Sequence, residues 1–511
     1  MPHPSSPVLG PEPAQGHPRR RSILAALCAA LLVMSVSVMA VTVALPSIAA
    51  DLRATTTQLQ WITESMVLAL AALLLPMGAL ADRYGRRRVL LAGLAVFAIA
   101  SLLAAITRTP GQLIAARALM GMGNAMITPA TLAIVRAVFP ASALPRALAV
   151  WGAVASAGVV LGPLSGGVLV EHFGWRSLFF ANAAILLPAA LSIGRLAPAF
   201  APRAKAALDV PSILLIAAGL PALIHTIIEA PRRGWLDPFA FAAAALLAGF
   251  VLRQRRTAHP LLDLPMVAAR SFWPAAVAAA TGFLSLMGVL FLITQYWQDV
   301  RAFSPSTTAL LLLPTAAGQL AVAPFAPRLI ARRGVRLVAL AGLLGLAAGL
   351  MLITTGLRTQ DWILATGLGL VAAGNGMAVN AASTAMLASG GQRQAGSAAA
   401  VNETAFKLGG SLGVAAFGAV ITGHLTARLT PHHGILPPDM TPFATQSITG
   451  AMQAARHLGG PEGAWLARVA GDAFIDGFGQ AALLAAVLAI AAALTTLALL
   501  EPHHLPKENR S

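Results

Sequence analysis

Charged side chains are scarce in this sequence. They make up 10% of its 511 residues, against about 25% in an average soluble domain, so water is excluded as the main solvent of the folded chain. Acidic residues are the rarest, with 18 Asp and Glu against 35 Lys and Arg. In a soluble protein this excess of positive charge would suggest nucleic-acid binding, but here it falls between apolar segments and indicates membrane topology. We therefore predict no nucleic-acid partner.

Features of several other protein classes are also missing. Cys28 is the only cysteine, so an internal disulfide is excluded. No phosphate-binding loop of the G-x-x-x-x-G-K-S/T type occurs, which argues against pumping driven by ATP. There is no nucleophile elbow, and the neighbouring His432 and His433 lack the further ligands that a metal would need. We predict that the protein is not an enzyme and has no metal site and no cofactor.

Long apolar runs, by contrast, are abundant. Hydrophobic residues make up 57% of the chain, and runs of roughly 20 residues, each long enough to cross a hydrocarbon core about 30 Å thick, recur along it. They lack the alternation of membrane-spanning strands, so they are predicted to be helices. The sequence predicts fourteen transmembrane helices, near residues 23–47, 59–80, 89–107, 111–135, 146–170, 177–196, 211–229, 237–252, 273–297, 306–330, 336–356, 362–388, 398–423 and 479–500.

The basic residues predict how these helices are oriented. If both termini are cytoplasmic, most Lys and Arg fall in cytoplasmic segments, as the positive-inside rule requires. Three arginines at 19–21 precede a first apolar run that is too long for a signal-peptide core, so we expect a retained helix. Residues 1–22 and 501–511 are predicted to be cytoplasmic tails, the first of them disordered.

Two segments of the chain resemble each other. The sequence GALADRYGRRRVLLAGL begins at Gly78, and PRLIARRGVRLVALAGL begins at Pro327. A common shift aligns Gly85 with Gly334, and the flanking helix residues agree as well. Any arginine-rich loop between two leucine-rich helices would give part of this match, but the flanking agreement favours duplication.

The duplication predicts the domain organisation. Residues 23–200 and 257–500 would form two six-helix bundles, with two inserted helices in 201–256. The longest connection, 424–478, is predicted to be external, with a helix near 446–457. This connection either caps the outer mouth or is a solvated loop.

The loop after the second predicted helix carries a resemblance to a known family. The pattern G-x-L-A-D-R-x-G-R-R/K-R/K, which marks the major facilitator superfamily, is matched by Gly78, Leu80, Ala81, Asp82, Arg83, Gly85, Arg86, Arg87 and Arg88. The resemblance implies a cytoplasmic gating loop whose carboxylate and guanidinium groups make and break pairs as the two halves rock. Positive-inside charge alone would explain the arginines but not Asp82 or Gly85.

The fifth predicted helix resembles the antiporter motif G-x-x-x-G-P-x-x-G-G of the same superfamily. The matching residues are Gly158, Gly162, Pro163, Gly166 and Gly167. Glycines four residues apart share one helix face and let a neighbouring backbone approach closely, and proline removes a helical hydrogen bond. An ordinary packing seam of small residues is the alternative. Within the superfamily the motif is associated with export.

Glu64, Glu403 and Arg117 lie within predicted spans and are our candidates for proton coupling and substrate binding. A charged group at this depth is costly unless it faces a partner or a wet cavity. Glu64 and Glu403 match acidic segments of exporters for quaternary ammonium compounds and biguanides, which implies that they alternate between a proton and a cation. Each has a structural alternative: Glu64 hydrogen-bonded to Thr63 or to another helix, Glu403 paired with Lys407 one turn later, and Arg117 in a buried pair.

Two positions depart from the family pattern. Ser37 and Gln319 stand where many members carry an acid in the first and tenth helices. The departures leave the handling of divalent cations and the proton stoichiometry open.

The resemblance covers about residues 20–500 and is to drug:proton antiporters with fourteen helices. It implies an all-α membrane protein with the major facilitator fold. The expected function is proton-coupled multidrug efflux of lipophilic, cationic compounds across the bacterial inner membrane, driven by the proton motive force and performed by a monomer in contact with membrane lipids. Export of one endogenous metabolite or antibiotic is the first alternative, and a transport-inactive membrane sensor or scaffold is the second.

Overall fold

The computed structural model describes residues 17–140, 142–198, 209–234, 237–257, 270, 272–388, 395–431 and 440–500. Helices dominate, and the described residues contain no β-strand. The helices of the N-terminal half are α1 (Arg20–Leu52), α2 (Thr56–Tyr84), α3 (Arg86–Ala105), α4 (Pro110–Val138), α5 (Leu144–Phe173) and α6 (Ser177–Leu196). The first helix thus begins at Arg20, within the predicted tail.

Two helices link the halves, and the second half is more broken than the first. The linking helices are α7 (Val210–Arg233) and α8 (Pro238–Gln254). The C-terminal half comprises α9 (Phe272–Gln295, continued by a π-helical turn Tyr296–Val300), α10 (Pro305–Leu311), α11 (Leu313–Val322), α12 (Ala326–Arg333), α13 (Val335–Gly356), α14 (Asp361–Ala388), α15 (Ala395–Leu429), α16 (Thr441–Gln446), α17 (Ile448–Leu458) and α18 (Gly460–Leu499).

Short polar side chains mark where several of these helices begin. Thr55, Thr109, Asp237, Ser304 and Ser447 each accept a hydrogen bond from the backbone N–H three residues later. These bonds satisfy donors that have no partner inside the helix. The boundaries therefore follow from local sequence.

The helices fit the predicted membrane architecture. Ten of them are long and apolar enough to cross a membrane, and the bent run α10–α12 makes an eleventh, counted over the described residues only. Each of the fourteen predicted segments coincides with a helix or, for 306–330, with this bent run. The number of helices that cross the bilayer stays a prediction.

The span predicted at 306–330 is not one continuous helix but the bent run α10–α12. Its axis bends by 46° between Val322 and Ala326. Proline lacks a backbone N–H and blocks the preceding turn, so Pro324 and Pro327 interrupt the helical hydrogen bonds there.

The predicted duplication is visible in the backbone. Gly85 between α2 and α3 has φ +97°, and Gly334 between α12 and α13 has φ +80°, a left-handed region that favours glycine. A Cβ on Gly93 would lie 3.0 Å from the Gly123 carbonyl oxygen, and a Cβ on Gly342 would lie 2.8 Å from that of Gly374. Both halves therefore join and cross the corresponding helices in the same way.

The inserted helix α7 packs against helices from both halves. Its residues Ile224 and Ile228 form a buried cluster with Leu68 of α2 and Ala415 of α15. Each of these side chains is at most 3% exposed. One seam between the halves is thus covered by an aliphatic surface.

The connection 424–478 is mostly helical where the structure describes it. The predicted helix near 446–457 is confirmed as α17, and α18 begins at Gly460, well before the predicted start of the last span at 479. The first turns of α18 carry polar residues but bury Leu466 and Ala470 against the neighbouring helices, which a hydropathy pattern does not reveal.

Helices α16 and α17, residues 441–458, cover one end of the bundle and are termed the cap. Ile448, Ala451 and Ala454 are fully buried. The cap joins the two halves, because Thr56 of α2 donates to the Gln446 carbonyl (2.6 Å) and Thr449 donates to Asp299 beside α9 (2.7 Å). These contacts favour a cap over a solvated loop. The opposite end, with the α2–α3 loop, is termed the arginine-rich end.

A polar network joins the start of α7 to the end of α8 at the arginine-rich end. The Arg253 guanidinium lies 2.7 Å from the Asp209 carboxylate and holds the pKa of that carboxyl below its usual range. Ser212 also donates to Asp209, and Gln254 donates to Ser212 (2.9 Å). The network fixes the two inserted helices as a hairpin.

We expect Asp209→Asn to lower stability by less than about 1 kcal/mol at pH 7, because Arg253 is partly exposed to solvent. A depressed carboxyl pKa contributes stability above the unfolded value, near 4, and loses it as the pH falls through the folded value. The difference between wild type and variant should therefore shrink toward pH 3. Thermal unfolding in detergent from pH 3 to 7 measures it.

A double-mutant cycle with Arg253→Gln controls this experiment. The two single changes should each cost stability at pH 7, and the double change should cost less than their sum. Additive effects at every pH would contradict a coupled pair.

Candidate functional site

A cavity of about 410 Å³ lies between the two halves. Helices α1, α2 and α5 line it from the N-terminal half, and α9, α11, α14 and α15 line it from the C-terminal half. Most of its surface is apolar, with a few polar side chains from both halves. Such a cavity can hold a small amphiphilic molecule.

Glu64 reaches this cavity from α2. Its side chain is 3% exposed, and Oε2 has no hydrogen-bond partner within the described part of the chain. The neighbouring Thr63 hydroxyl donates to the Leu59 carbonyl (3.0 Å) instead. Thr63 therefore does not hydrogen-bond Glu64, and that structural alternative is wrong.

Arg117 is fully buried behind Glu64 and does not line the cavity. From α4 its Nε donates to the Ile62 carbonyl (3.0 Å) and its Nη1 to the Ser37 carbonyl (3.4 Å). It also lies within electrostatic range of Glu64. Arg117 thus holds α1, α2 and α4 together and supplies a positive charge near the carboxylate.

Two further buried polar atoms face the same cavity without a hydrogen-bond partner among the described residues. They are Thr315 Oγ1 and Asn375 Oδ1, while the Ser411 hydroxyl, which also lines the cavity, lies within hydrogen-bonding range of the Glu64 carboxyl. A Cβ on Gly282 would lie only 2.6 Å from Asn375 Oδ1, so this glycine makes room for the amide. Unpartnered buried polar groups cost free energy, and their convergence indicates a place where a ligand or water binds.

Sequence reasoning missed Thr315, Asn375, Ser411 and the cavity-lining role of Lys407. An asparagine inside an apolar helix was a usable signal, because it must find a partner or a cavity. Which side of each helix faces inward is set by packing. Gln319, at a position usually acidic in the family, also lines the cavity.

Ser37, the other position that departs from the family pattern, makes a hydrogen bond within the N-terminal half. Its hydroxyl accepts a hydrogen bond from Asn182 Nδ2 (3.1 Å). The side chain of the remaining candidate, Glu403, lies outside the described residues.

The glycine motif of α5 packs directly against α1. Added Cβ atoms would lie 2.2 Å from Ser35 Cβ at Gly158, 2.5 Å from Met39 Cβ at Gly162, and 3.0 Å from Ala40 Cα at Gly166. Gly167 instead faces the C-terminal half, where its Cβ would lie 2.7 Å from Ala309 Cβ of α10. The motif therefore serves both the fold of one half and its contact with the other.

Arginines of the predicted gating loop bind helix ends of their own half. Arg86 Nη1 donates to the Ala133 carbonyl (3.5 Å), and Arg87 donates to the Gly194 carbonyl near the end of α6. Carbonyls near helix C-termini are partly negative, so this placement is favourable. Gly78 packs beside Pro129, and Arg83 is exposed next to Tyr84. The Asp82 side chain lies outside the described residues, and the gating role stays a prediction.

Where the structure describes both partners, the hydrogen bonds that join the two halves lie toward the cap end. Besides those of the cap, Gln298 Nε2 donates to the Val43 carbonyl (2.9 Å), and the Ser306 N–H donates to Glu171 (2.9 Å). Gln60 Nε2 donates to the carbonyls of Val414 and Ala415. The cavity is therefore closed at the cap end.

Two helical halves around a central cavity, closed at one end, are the architecture of secondary membrane transport proteins. Residues 25–414 match the Major Facilitator Superfamily, and this chain belongs to that family.

Relatives and solved structures agree with this assignment. The chain is 34% identical over 479 residues to the multidrug efflux pump LfrA of Mycolicibacterium smegmatis, covering 92% of this chain and 94% of that protein. It is 33% identical over 439 residues to the methyl viologen resistance protein SmvA of Salmonella typhimurium, covering 85% and 88%. A crystal structure of a bacterial homologue of the human lysosomal transporter Spinster, inward-facing and occupied, matches with a TM-score of 0.69 at 17% identity, covering 95% of this chain and 98% of that one. The predicted fold class is thus confirmed.

Proposed function

We propose that this protein is a proton-coupled antiporter that exports lipophilic cations across the bacterial inner membrane. The observation that carries the proposal is the buried Glu64 carboxyl at the wall of a cavity between the halves, whose Oε2 has no hydrogen-bond partner among the described residues. A carboxyl in such a place can hold either a proton or a cation. The printed names of LfrA and SmvA support drug efflux.

The closed cap end and the positive-inside rule support the proposed direction of transport. Basic residues cluster at the end opposite the cap, which favours a cytoplasmic location for that end. The cavity, closed at the cap end, would then load its cargo from the cytoplasm or the inner leaflet. The α5 glycine motif supports export as well.

The proposed exchange is balanced in charge. In the state closed at the cap end, a cation enters the cavity and the Glu64 proton leaves to the cytoplasm. In the opposite state, an external proton binds Glu64 and the cation leaves. One proton in for one monovalent cation out moves no net charge, so the pH gradient drives it, with about tenfold accumulation per pH unit.

Everted membrane vesicles test this proposal. Acidifying the vesicle interior should drive ethidium inward by about tenfold per pH unit, and a protonophore should abolish the accumulation. Purified protein in liposomes should respond in the same way. Ethidium movement that ignores an imposed pH gradient would contradict antiport.

A further inference from the structure

Two ionisable side chains from opposite halves face the cavity in the described part of the structure. Glu64 reaches it from α2, and Lys407 reaches it from α15, one turn before Ser411. The Lys407 ammonium lies within electrostatic range of the Glu64 carboxylate. A cation in the cavity would therefore be attracted by one group and repelled by the other.

Lys407 has no hydrogen bond or ion pair to a described residue. The Lys407 side chain lines the cavity and acts electrostatically on Glu64 across it. A charge at lipid depth that faces a cavity also acts on a ligand bound there.

The rest of the cavity fits the body of a planar apolar molecule. The rings of Phe283 and Phe406 stack with centroids 5.0 Å apart, and both line the cavity. Phe406 is adjacent to Lys407 in sequence. An aromatic cation bound here would thus place its charge in the field of both Glu64 and Lys407.

We propose that Lys407 selects the charge of the cargo, admitting cations with one positive charge and disfavouring dications. This inference rests on the proposed transport of lipophilic cations. The electrostatic energy of a ligand in the field of Lys407 is proportional to the ligand's charge. A repulsion that weakens binding of a monovalent cation by a given factor therefore weakens binding of a dication by about the square of that factor.

Ethidium and propidium are matched probes, because they share one planar ring system and propidium carries a second positive charge. Their equilibrium binding to the purified wild-type protein in detergent is followed by fluorescence, with no gradient imposed. We expect ethidium to bind at least about tenfold more tightly than propidium.

In Lys407→Gln, we expect ethidium binding to tighten about tenfold and propidium binding about a hundredfold, so that the preference between them falls about tenfold. Lys407→Arg keeps the charge and should keep the wild-type preference. An unchanged preference for ethidium over propidium in Lys407→Gln would overturn the proposal. This is the result expected if Glu403 neutralises the Lys407 ammonium. If Lys407→Arg lost the preference for ethidium as much as Lys407→Gln does, the proposal would also be overturned, because the size of the side chain rather than its charge would then set the preference.

These outcomes are separable from failure of the proposed function. The binding measurement needs no proton gradient, so it stands even if vesicles show no antiport. A wild-type protein that binds propidium as tightly as ethidium contradicts the role of Lys407 whether or not any variant folds. Loss of pH-driven ethidium accumulation with normal binding would instead contradict proton coupling alone.

Discussion

Replacing Glu64 with glutamine should abolish ethidium accumulation driven by a pH gradient while leaving the protein inserted in the membrane. Wild-type vesicles should reach about tenfold accumulation per pH unit, and the variant should reach none. Glutamine has nearly the same shape as glutamate, but it can neither release a proton nor balance a cation. With Lys407 still facing the cavity, ethidium binding should weaken as well.

The control for Glu64→Gln is the same substitution at Glu462, which is exposed in the first turn of α18 and far from the cavity lining. Glu462→Gln should transport as the wild type does. Glu64→Asp keeps a carboxyl and should retain part of the activity. Wild-type drug resistance in Glu64→Gln at equal expression would assign proton coupling to another residue.

Replacing Gly162 with leucine should separate α5 from α1 and abolish export. A Cβ at this position would lie 2.5 Å from Met39 Cβ and 3.1 Å from the Val36 carbonyl oxygen, both closer than van der Waals contact. Forcing larger side chains into such a seam costs about 1–3 kcal/mol in well-packed proteins. Met39 also lines the cavity, so the displacement should reach the binding site. Thermal unfolding in detergent and vesicle transport measure the two effects.

Gly152→Leu is the matched control, because it lies on the same helix and a Cβ there meets no heavy atom of a described residue within 4 Å. It should leave the midpoint of thermal unfolding and the transport rate near their wild-type values. If Gly162→Leu behaved like Gly152→Leu, the glycine motif would not be a close packing surface.

Much of the fold could be predicted from local sequence. Apolar run length indicated the helices, and the glycine between an arginine-rich turn and the next helix indicated the duplicated junctions at Gly85 and Gly334. The break near Pro324 was not predicted, because the run was assigned from its length and apolarity alone, although proline interrupts a helix wherever it lies beyond the first turn. The early start of α18 was not visible, because its first turns are amphipathic and a hydropathy pattern assigns them to a loop.

The candidate site was predictable only where a charge stood inside an apolar run. Glu64 and Arg117 were found for this reason, and the structure brings them close together around α2. From the sequence, Lys407 was considered only in the structural alternative, as a partner for Glu403 one turn away. Its position at the cavity depends on how α15 is rotated about its own axis, which is set by contacts with other helices. The same is true of Asn375 and Thr315.

The position of α7 has a consequence for how the two halves can move. Because it touches α2 and α15 together, any rocking of one half against the other must drag this helix or slide past it. The buried cluster at this contact, Leu68, Ile224, Ile228 and Ala415, is aliphatic, and attraction between aliphatic groups has no preferred direction, so a shift along this cluster replaces one set of neighbours with a similar one. The inserted pair can therefore keep lipid out of that seam throughout the transport cycle without locking the protein in either state.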